Sequence, residues 1–328
     1  MINFETILAD FEQEQCFSAS RLSTTLKQLL LQSTHVPYPA SGQTYQRWQI
    51  LANVAATDLT LAKWFESHLD ALSILHELEY EADPHKLWAV WAAEGGSNPV
   101  KYRDGYCSGI KPWCSGAALV DYGLMTYRDH NDQSQLCILD MQQSTININD
   151  EDWHAVGMQA TQTAKISLQH TAVKNIGQSQ QYLTRAGFWH GAAGVAACWY
   201  GATVRLASFL QQACQEKSNP FRMMYLGKVS HTLAVTRQYF KNVAEQIDQS
   251  PDENHELKIR ILRAQTELAA HTVLEQVGQA LGAKPYCENA IFARLAADLP
   301  VFIRQSHAAF DLERIGQLAL EETSTWTL

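Results

Sequence analysis

"GIKPWCSGAALVDYGLMT", residues 109–126, crowds a proline, an indole, a thiol and a hydroxyl between glycines, then turns into a run rich in branched and aromatic side chains. Gly and Pro interrupt regular structure, and the apolar run after them has strand character. The segment reads as the mouth of a strand that displays Trp113, Cys114 and Ser115.

Outward from it, "KLWAVWAA", "YRDGYCSGIKPW", "QLCILDM", "STININDEDW" and "AKISLQHTAV" are short stretches of Val, Ile, Thr and aromatics separated by Gly, Pro, Asn and Asp. They predict a small β-domain over 85–176. No Gly-x-Gly-x-x-Gly follows a strand there and no P-loop signature occurs, so nucleotide binding by either route is excluded. Residues 1–84 have helical periodicity: Leu51, Ala55, Leu59, Ala62, Phe65, Leu69 and Leu72 recur at three- and four-residue intervals, which predicts one amphipathic helix or two with a break. Residues 177–328 hold four long helical segments with short Pro-, Gly- and Asn-bearing joints, the pattern of an antiparallel bundle. The class is α+β, in the order helical region, β-domain, helical bundle.

Composition narrows the function. Of 328 residues, 46% are hydrophobic and 18% charged, a globular balance. The net charge of −9 without a Lys/Arg block argues against nucleic acid and anionic membranes as partners. "GAAGVAACWYGATV" (191–204) is too short and too rich in small residues to span a bilayer, so no membrane span is expected. "MINFETILADFEQEQCF" lacks a signal-peptide pattern, which makes a cytoplasmic location the expectation. Seven cysteines, at 16, 107, 114, 137, 198, 214 and 287, without CxxC spacing predict reduced thiols and no zinc site.

The α, β, α order combined with four motifs resembles the acyl-CoA dehydrogenase superfamily of flavoproteins. "AAEGGSN" (92–98) resembles its Thr-Glu-Pro and Gly-Ser-Asp turn, and "SGIKPWCSGA" (108–117) its Asn-Gly-x-Lys-x-Trp-Ile-Thr. "WHAVGMQATQTAKISLQH" (153–170) is similar to its Gly-Met-Arg-x-Ser-x-Thr strand, and "GQALGAKPYCENAIFAR" to its Gly-Gly-x-Gly-Tyr and Arg-Asp-Ala region. The resemblance implies an N-terminal helical region, a central small β-barrel and a C-terminal four-helix bundle, with FAD as cofactor. It implies that Trp113, Cys114 and Ser115 lie against the flavin ring, where a hydroxyl tunes hydride acceptance. Trp91, Ala92, Ala93 and Ser97 would line the flavin and its ribityl-pyrophosphate, Gln279 and Gly282 would approach it from a neighbouring subunit, and Ser306 would join the cofactor set. A homodimer or homotetramer follows from the same resemblance.

The pattern breaks at the base. In the family a Glu near the last helix removes the α-proton of an acyl thioester, and "VFIRQSHAAFD" puts Arg304 in its place. A guanidinium stays protonated at any working pH and is no base. Glu275, Glu267 and Asp311 are alternatives, and His307 beside the site can donate or accept a proton near neutrality. In "FWHGAAG" His190 falls near the family's substrate-binding Asp and Ala193 near its Arg, so the CoA anchor is missing; Arg185 just upstream is a candidate replacement. Three readings remain. One is an FAD-dependent oxidoreductase acting on the CH–CH group of an acyl thioester, such as an acyl-CoA, or a related small molecule. The others are a flavin monooxygenase or N-oxidising enzyme of the same fold, and an inactive flavin-binding relative.

Overall fold

The computed structural model describes residues 3–14, 17–321 and 326, so Cys16 lies outside the described residues. The chain begins with four helices, α1 (Phe4–Glu14), α2 (Ala19–Leu30), α3 (Thr44–Thr57) and α4 (Leu59–Glu77). Eight strands follow: β1 (Trp88–Trp91), β2 (Lys101–Arg103), β3 (Tyr106–Cys114), β4 (Tyr122–Arg128), β5 (Ser134–Asp140), β6 (Ile146–Asn149), β7 (Ala164–Ala172) and β8 (Lys174–Ile176). A short α5 (Gln181–Thr184) leads into α6 (Gly187–Glu216), α7 (Pro220–Gln249), α8 (Glu256–Leu281), α9 (Lys284–Glu288), α10 (Ala290–Phe302) and α11 (Ala309–Glu321). Two compact units result, one of Met1–Phe11, Cys16–Val36 and Thr60–Phe188, the other of Glu12–Gln15, Pro37–Leu59 and Trp189–Leu328.

In the first unit the expected small barrel consists of two four-stranded sheets, ordered β1-β4-β5-β8 and β2-β3-β7-β6. In β4 and β5 nearly every residue is buried, as in a strand covered on both faces. Ala71, Leu72, Ile74 and Leu75 of α4 cover one of these faces, in a core shared with Trp88, Leu124, Leu136 and Ile138. The parallel β1–β4 pair sets Trp91 beside Met125. Gly123 is obligatory there, because a Cβ on it would overlap the Trp91 ring. The apolar stripe from Leu51 to Leu72 is buried throughout, but it is carried by two helices, with Asp58 extended between them.

In the second unit, Asn219 caps α7 by accepting from Arg222 N–H, and Pro220 occupies the first turn, where its missing N–H costs nothing. Gly201 of α6 lies directly on the backbone of Ala52 in α3, and Trp199 is fully buried with its ring 6.5 Å from that of Phe302. The fourth long segment expected after residue 177 is two helices. α10, with Pro300 inside it, gives way to a 3₁₀ turn at Ile303–Gln305, and α11 starts at Ala309. The six described cysteines are free, and only Cys287 is exposed. Among the described residues no helix is long and apolar enough to cross a membrane.

Candidate functional site

Strand β3 decides which groups face outward. Cys107, Gly109 and Lys111 point inward at period two, and between Lys111 and Cys114 the pairing with β7 slips. Pro112, which has no N–H for the ladder, sits in that slip. Trp113 takes the left-handed conformation at φ 61°, rare for a bulky residue, and is left 64% exposed. Its ring meets Trp153 edge-on at 6.1 Å, and the Trp153 indole N–H is held by Gln159 O at 3.3 Å. The bulge thus builds an open corner of two indoles.

Behind this corner runs a chain of hydroxyls. Ser115 Oγ lies 2.8 Å from Thr163 Oγ1, Thr163 Oγ1 lies 3.0 Å from Thr161 Oγ1, and Thr161 Oγ1 donates to Met158 O at 2.7 Å. Thr161 is fixed by its carbonyl, which accepts from the Trp64 indole at 3.2 Å and from Gly116 N–H at 3.0 Å. Gly116 has φ 69°, and a Cβ there would sit 3.0 Å from Trp64 Nε1, so the turn after β3 requires glycine. Cys114 and Trp91, expected at the cofactor, have their side chains inside. The Cys114 thiol is fully buried and pushed up to about 12 by burial, with the Lys111 charge opposing. The Trp91 indole donates to Ser115 O at 3.2 Å.

The loop after β1 is anchored at both ends. Thr126 Oγ1 donates to Ala92 O at 3.2 Å, and Lys111 Nζ donates to Thr126 O at 2.5 Å and to Thr126 Oγ1 at 3.1 Å, crossing between the two sheets. At the far end Ile110 N–H bonds Asn98 O at 2.8 Å, and Gly109 permits Pro99 to lie against β3. Between the anchors Glu94 pairs with Arg128 at 2.5 Å, and Gly95 and Gly96, both at positive φ, face open space. Lys111, Glu94, Gly95 and Arg128 line a cleft of about 220 Å³. Burial lowers the Lys111 amine to about 8, against the attraction of Glu94. Ala92, Ala93 and Ser97 are exposed on this loop.

In the second unit Arg304 is half-exposed, and its Nη2 donates to Glu267 Oε1 at 2.8 Å and to His271 Nε2 at 2.9 Å, both from α8. Buried Arg263 donates to Ala192 O at 2.6 Å and to Gln305 O at 3.1 Å, which fixes the turn carrying Arg304. Asp311 pairs with Arg260 and accepts from the His307 N–H at 3.0 Å. The buried Ser306 hydroxyl caps Ala308 N–H at 3.2 Å, while the His307 side chain is exposed. Glu275 accepts from Gln279 one turn on, and Gly282 ends α8 at φ 67°. His190 is buried with Nε2 3.0 Å from Glu253 O. Arg185, in the first unit, is buried against Glu77 at 2.6 Å with its guanidinium over Tyr182, so it is no free surface cation.

Sequence reasoning passed over Lys111, Thr126, Trp153, Thr163 and Thr161. For Lys111 a signal existed, because it shares the parity of Cys107 and Gly109 in β3. Thr163 and Thr161 face Ser115 only through the β3–β7 pairing, which no local pattern announces.

No family model matches the chain, and no curated protein matches it. Solved structures do. Butyryl-CoA dehydrogenase from Megasphaera elsdenii matches over 97% of each chain with a TM-score of 0.80 at 14% identity. KijD3 in complex with FMN and dTDP-3-amino-2,3,6-trideoxy-4-keto-3-methyl-D-glucose matches over 97% of this chain and 91% of that one, with a TM-score of 0.78 at 14% identity. The nitrososynthase from Micromonospora carbonacea var. africana matches over 96% and 93%, with a TM-score of 0.76 at 14% identity. Helices, two central sheets and a helical C-terminal half thus come in the arrangement shared by these proteins, and the chain has the acyl-CoA dehydrogenase fold.

Proposed function

We propose that this protein is a flavin-dependent oxidoreductase that works as an oxygenase, using reduced flavin and molecular oxygen on a small-molecule substrate, in place of α,β-dehydrogenation of an acyl thioester. The observation that carries the choice is the state of Arg304. A fixed cation occupies the position that the resemblance gives to the base, and the carboxylate nearest to it, Glu267, is already paired with that cation. Asp311 is likewise spent on Arg260 and on the His307 N–H. Two of the three carboxylates that could replace the base are thus held by arginines, and the third, Glu275, is exposed on α8 and accepts from Gln279; an oxygenase needs no carboxylate base.

The residues of the first unit suit a flavin. An indole held outward by a left-handed bulge offers a face to an aromatic ring, Gly95 and Gly96 leave room for a ligand to approach the backbone, and the Lys111 and Arg128 charges outnumber that of Glu94. A bound flavin supplies two-electron redox chemistry; the chain's part is to stack its ring on Trp113, hold its polar edge at Ser115 and accept its phosphate side along Ala92, Ala93 and Ser97. Either FAD or FMN satisfies this reading. Self-association through α7, which exposes Phe221, Met223, Met224 and Val235, is the companion proposal, and it would bring Gln279 and Gly282 to a neighbouring site.

The deciding experiment titrates the purified protein with FAD and FMN and then compares two assays. Oxygen uptake with a supplied flavin reductase, together with no anaerobic bleaching by acyl-CoAs, is the expected result. Bleaching by an acyl-CoA would restore the dehydrogenase reading, and failure to bind either flavin would remove both.

A further inference from the structure

Lys111 is an anomaly in the first unit. A lysine is almost never fully buried unless an opposite charge pairs with it, yet this side chain is 1% exposed and makes no ion pair among the described residues. Its two partners, Thr126 O and Thr126 Oγ1, can only accept from it, because the Thr126 proton goes to Ala92 O. The amine therefore spends two protons on Thr126 in either charge state. What remains is one tetrahedral position, where the ammonium carries its third proton and the neutral amine its lone pair. Lys111 forms part of the wall of the 220 Å³ cleft, so a ligand there meets the amine from that side.

We propose that Lys111 is a reactive centre in its own right, a nucleophilic amine that forms an imine with a small aldehyde carrying a carboxylate. The lone pair attacks the carbonyl carbon, both amine protons pass to the carbonyl oxygen, which leaves as water, and nothing is oxidised or reduced. A desolvated lysine is suited to this chemistry. Burial brings the amine to about 8, so about a quarter of it is neutral at pH 7.5, against about one part in a thousand for an ordinary amine at 10.5. The cleft is smaller than the roughly 300–1,000 Å³ of sites for drug-sized ligands, which limits the aldehyde to a few heavy atoms. Its charge selects the carboxylate: Lys111 and Arg128 outnumber Glu94, and Arg128 spends Nε on Glu94 and Nη1 on Asp132 O, leaving Nη2 for an anion. The reaction requires no flavin, so its failure leaves the flavin reading untouched.

The test incubates the full chain with glyoxylate, traps imines with cyanoborohydride and maps the modified lysines by mass spectrometry. At pH 7.5 Lys111 should be modified at least about tenfold faster than exposed lysines such as Lys101, because far more of it is neutral. Its rate should saturate with glyoxylate concentration, as binding in a cleft requires, and should level off above about pH 8, while the exposed lysines keep accelerating toward about 10.5. Arg128→Met should raise the half-saturating glyoxylate concentration about tenfold and leave the reaction with acetaldehyde as it was. An unmodified Lys111 beside modified exposed lysines would overturn the proposal, as would a rate that never saturates or that climbs with pH like theirs. Glyoxylate uptake unchanged in Arg128→Met would overturn the choice of a carboxylate-bearing aldehyde. The wild-type measurements decide the reactivity of Lys111 even if that variant fails to fold.

Discussion

Arg304 and Glu267 are joined at 2.8 Å, with His271 Nε2 accepting from the same guanidinium nitrogen at 2.9 Å. Because Arg304 is more than half exposed, the pair contributes little to folding. Arg304→Met should therefore shift stability by less than about 1 kcal/mol in urea unfolding. It should also leave flavin affinity unchanged, because flavin affinity is assigned to β3. A large loss of stability would mean that the cluster is a structural clamp of the turn at Ile303–Gln305.

Lys111 gives a pH dependence whose sign is fixed. Its amine titrates near 8 in the folded chain and near 10.5 when unfolded, so below 8 both states hold the proton. Between 8 and 10.5 the unfolded state binds more protons, and stability rises with pH. Relative to Lys111→Met, wild type should gain roughly 3 kcal/mol across that window. Urea midpoints for both proteins at pH 7.5 and pH 10 check this, and a flat difference would show that the amine is hydrated.

Trp113 separates backbone strain from ligand binding. A side chain in the left-handed region costs roughly 1 kcal/mol that glycine avoids. Trp113→Gly should therefore be more stable than Trp113→Ala by about 1 kcal/mol in thermal unfolding. Both variants should lose flavin affinity together. Equal stability would place the strain elsewhere, and retained affinity would take the ring contact away from Trp113.

Gly201 tests the α3–α6 contact inside the second unit. A Cβ there would overlap the Ala52 backbone, which cannot yield as a flexible side chain does. Gly201→Ala should lose about 2 kcal/mol by overpacking, even though alanine gains roughly 1 kcal/mol in helix propensity. Calorimetric unfolding reads the difference. A neutral or stabilising result would mean that the two helices separate freely at this point.

The order of helices and strands was legible because the apolar period changes from 3.6 to 2 near Trp88 and back near Gly187. The split of the last segment was not, since Leu295, Leu299, Phe302 and Ile303 keep an unbroken buried pattern past Pro300 and into the turn. At the candidate site, the strand mouth at 113–115 was read from composition, but the inward turn of Cys114 depends on pairing with β7. The partners of Arg304 come from α8, 33 and 37 residues away, a distance over which side-chain spacing carries no information.

The slip in β3 also limits how this segment can vary in length. Lys111 and Cys114 are three apart, yet both point inward, which a regular strand forbids. Removing either Pro112 or Trp113 would restore strict alternation while leaving both residues inside; removing Trp113 takes the outward indole away, and removing Pro112 leaves it outward but without the bulge that turns it. A chain lacking Trp113 would keep its barrel and lose its aromatic corner, whereas one lacking Pro112 would keep both the barrel and the indole. A deletion series through 112–113, scored separately for folding and for ligand uptake, would thus dissect scaffold from site at a single position.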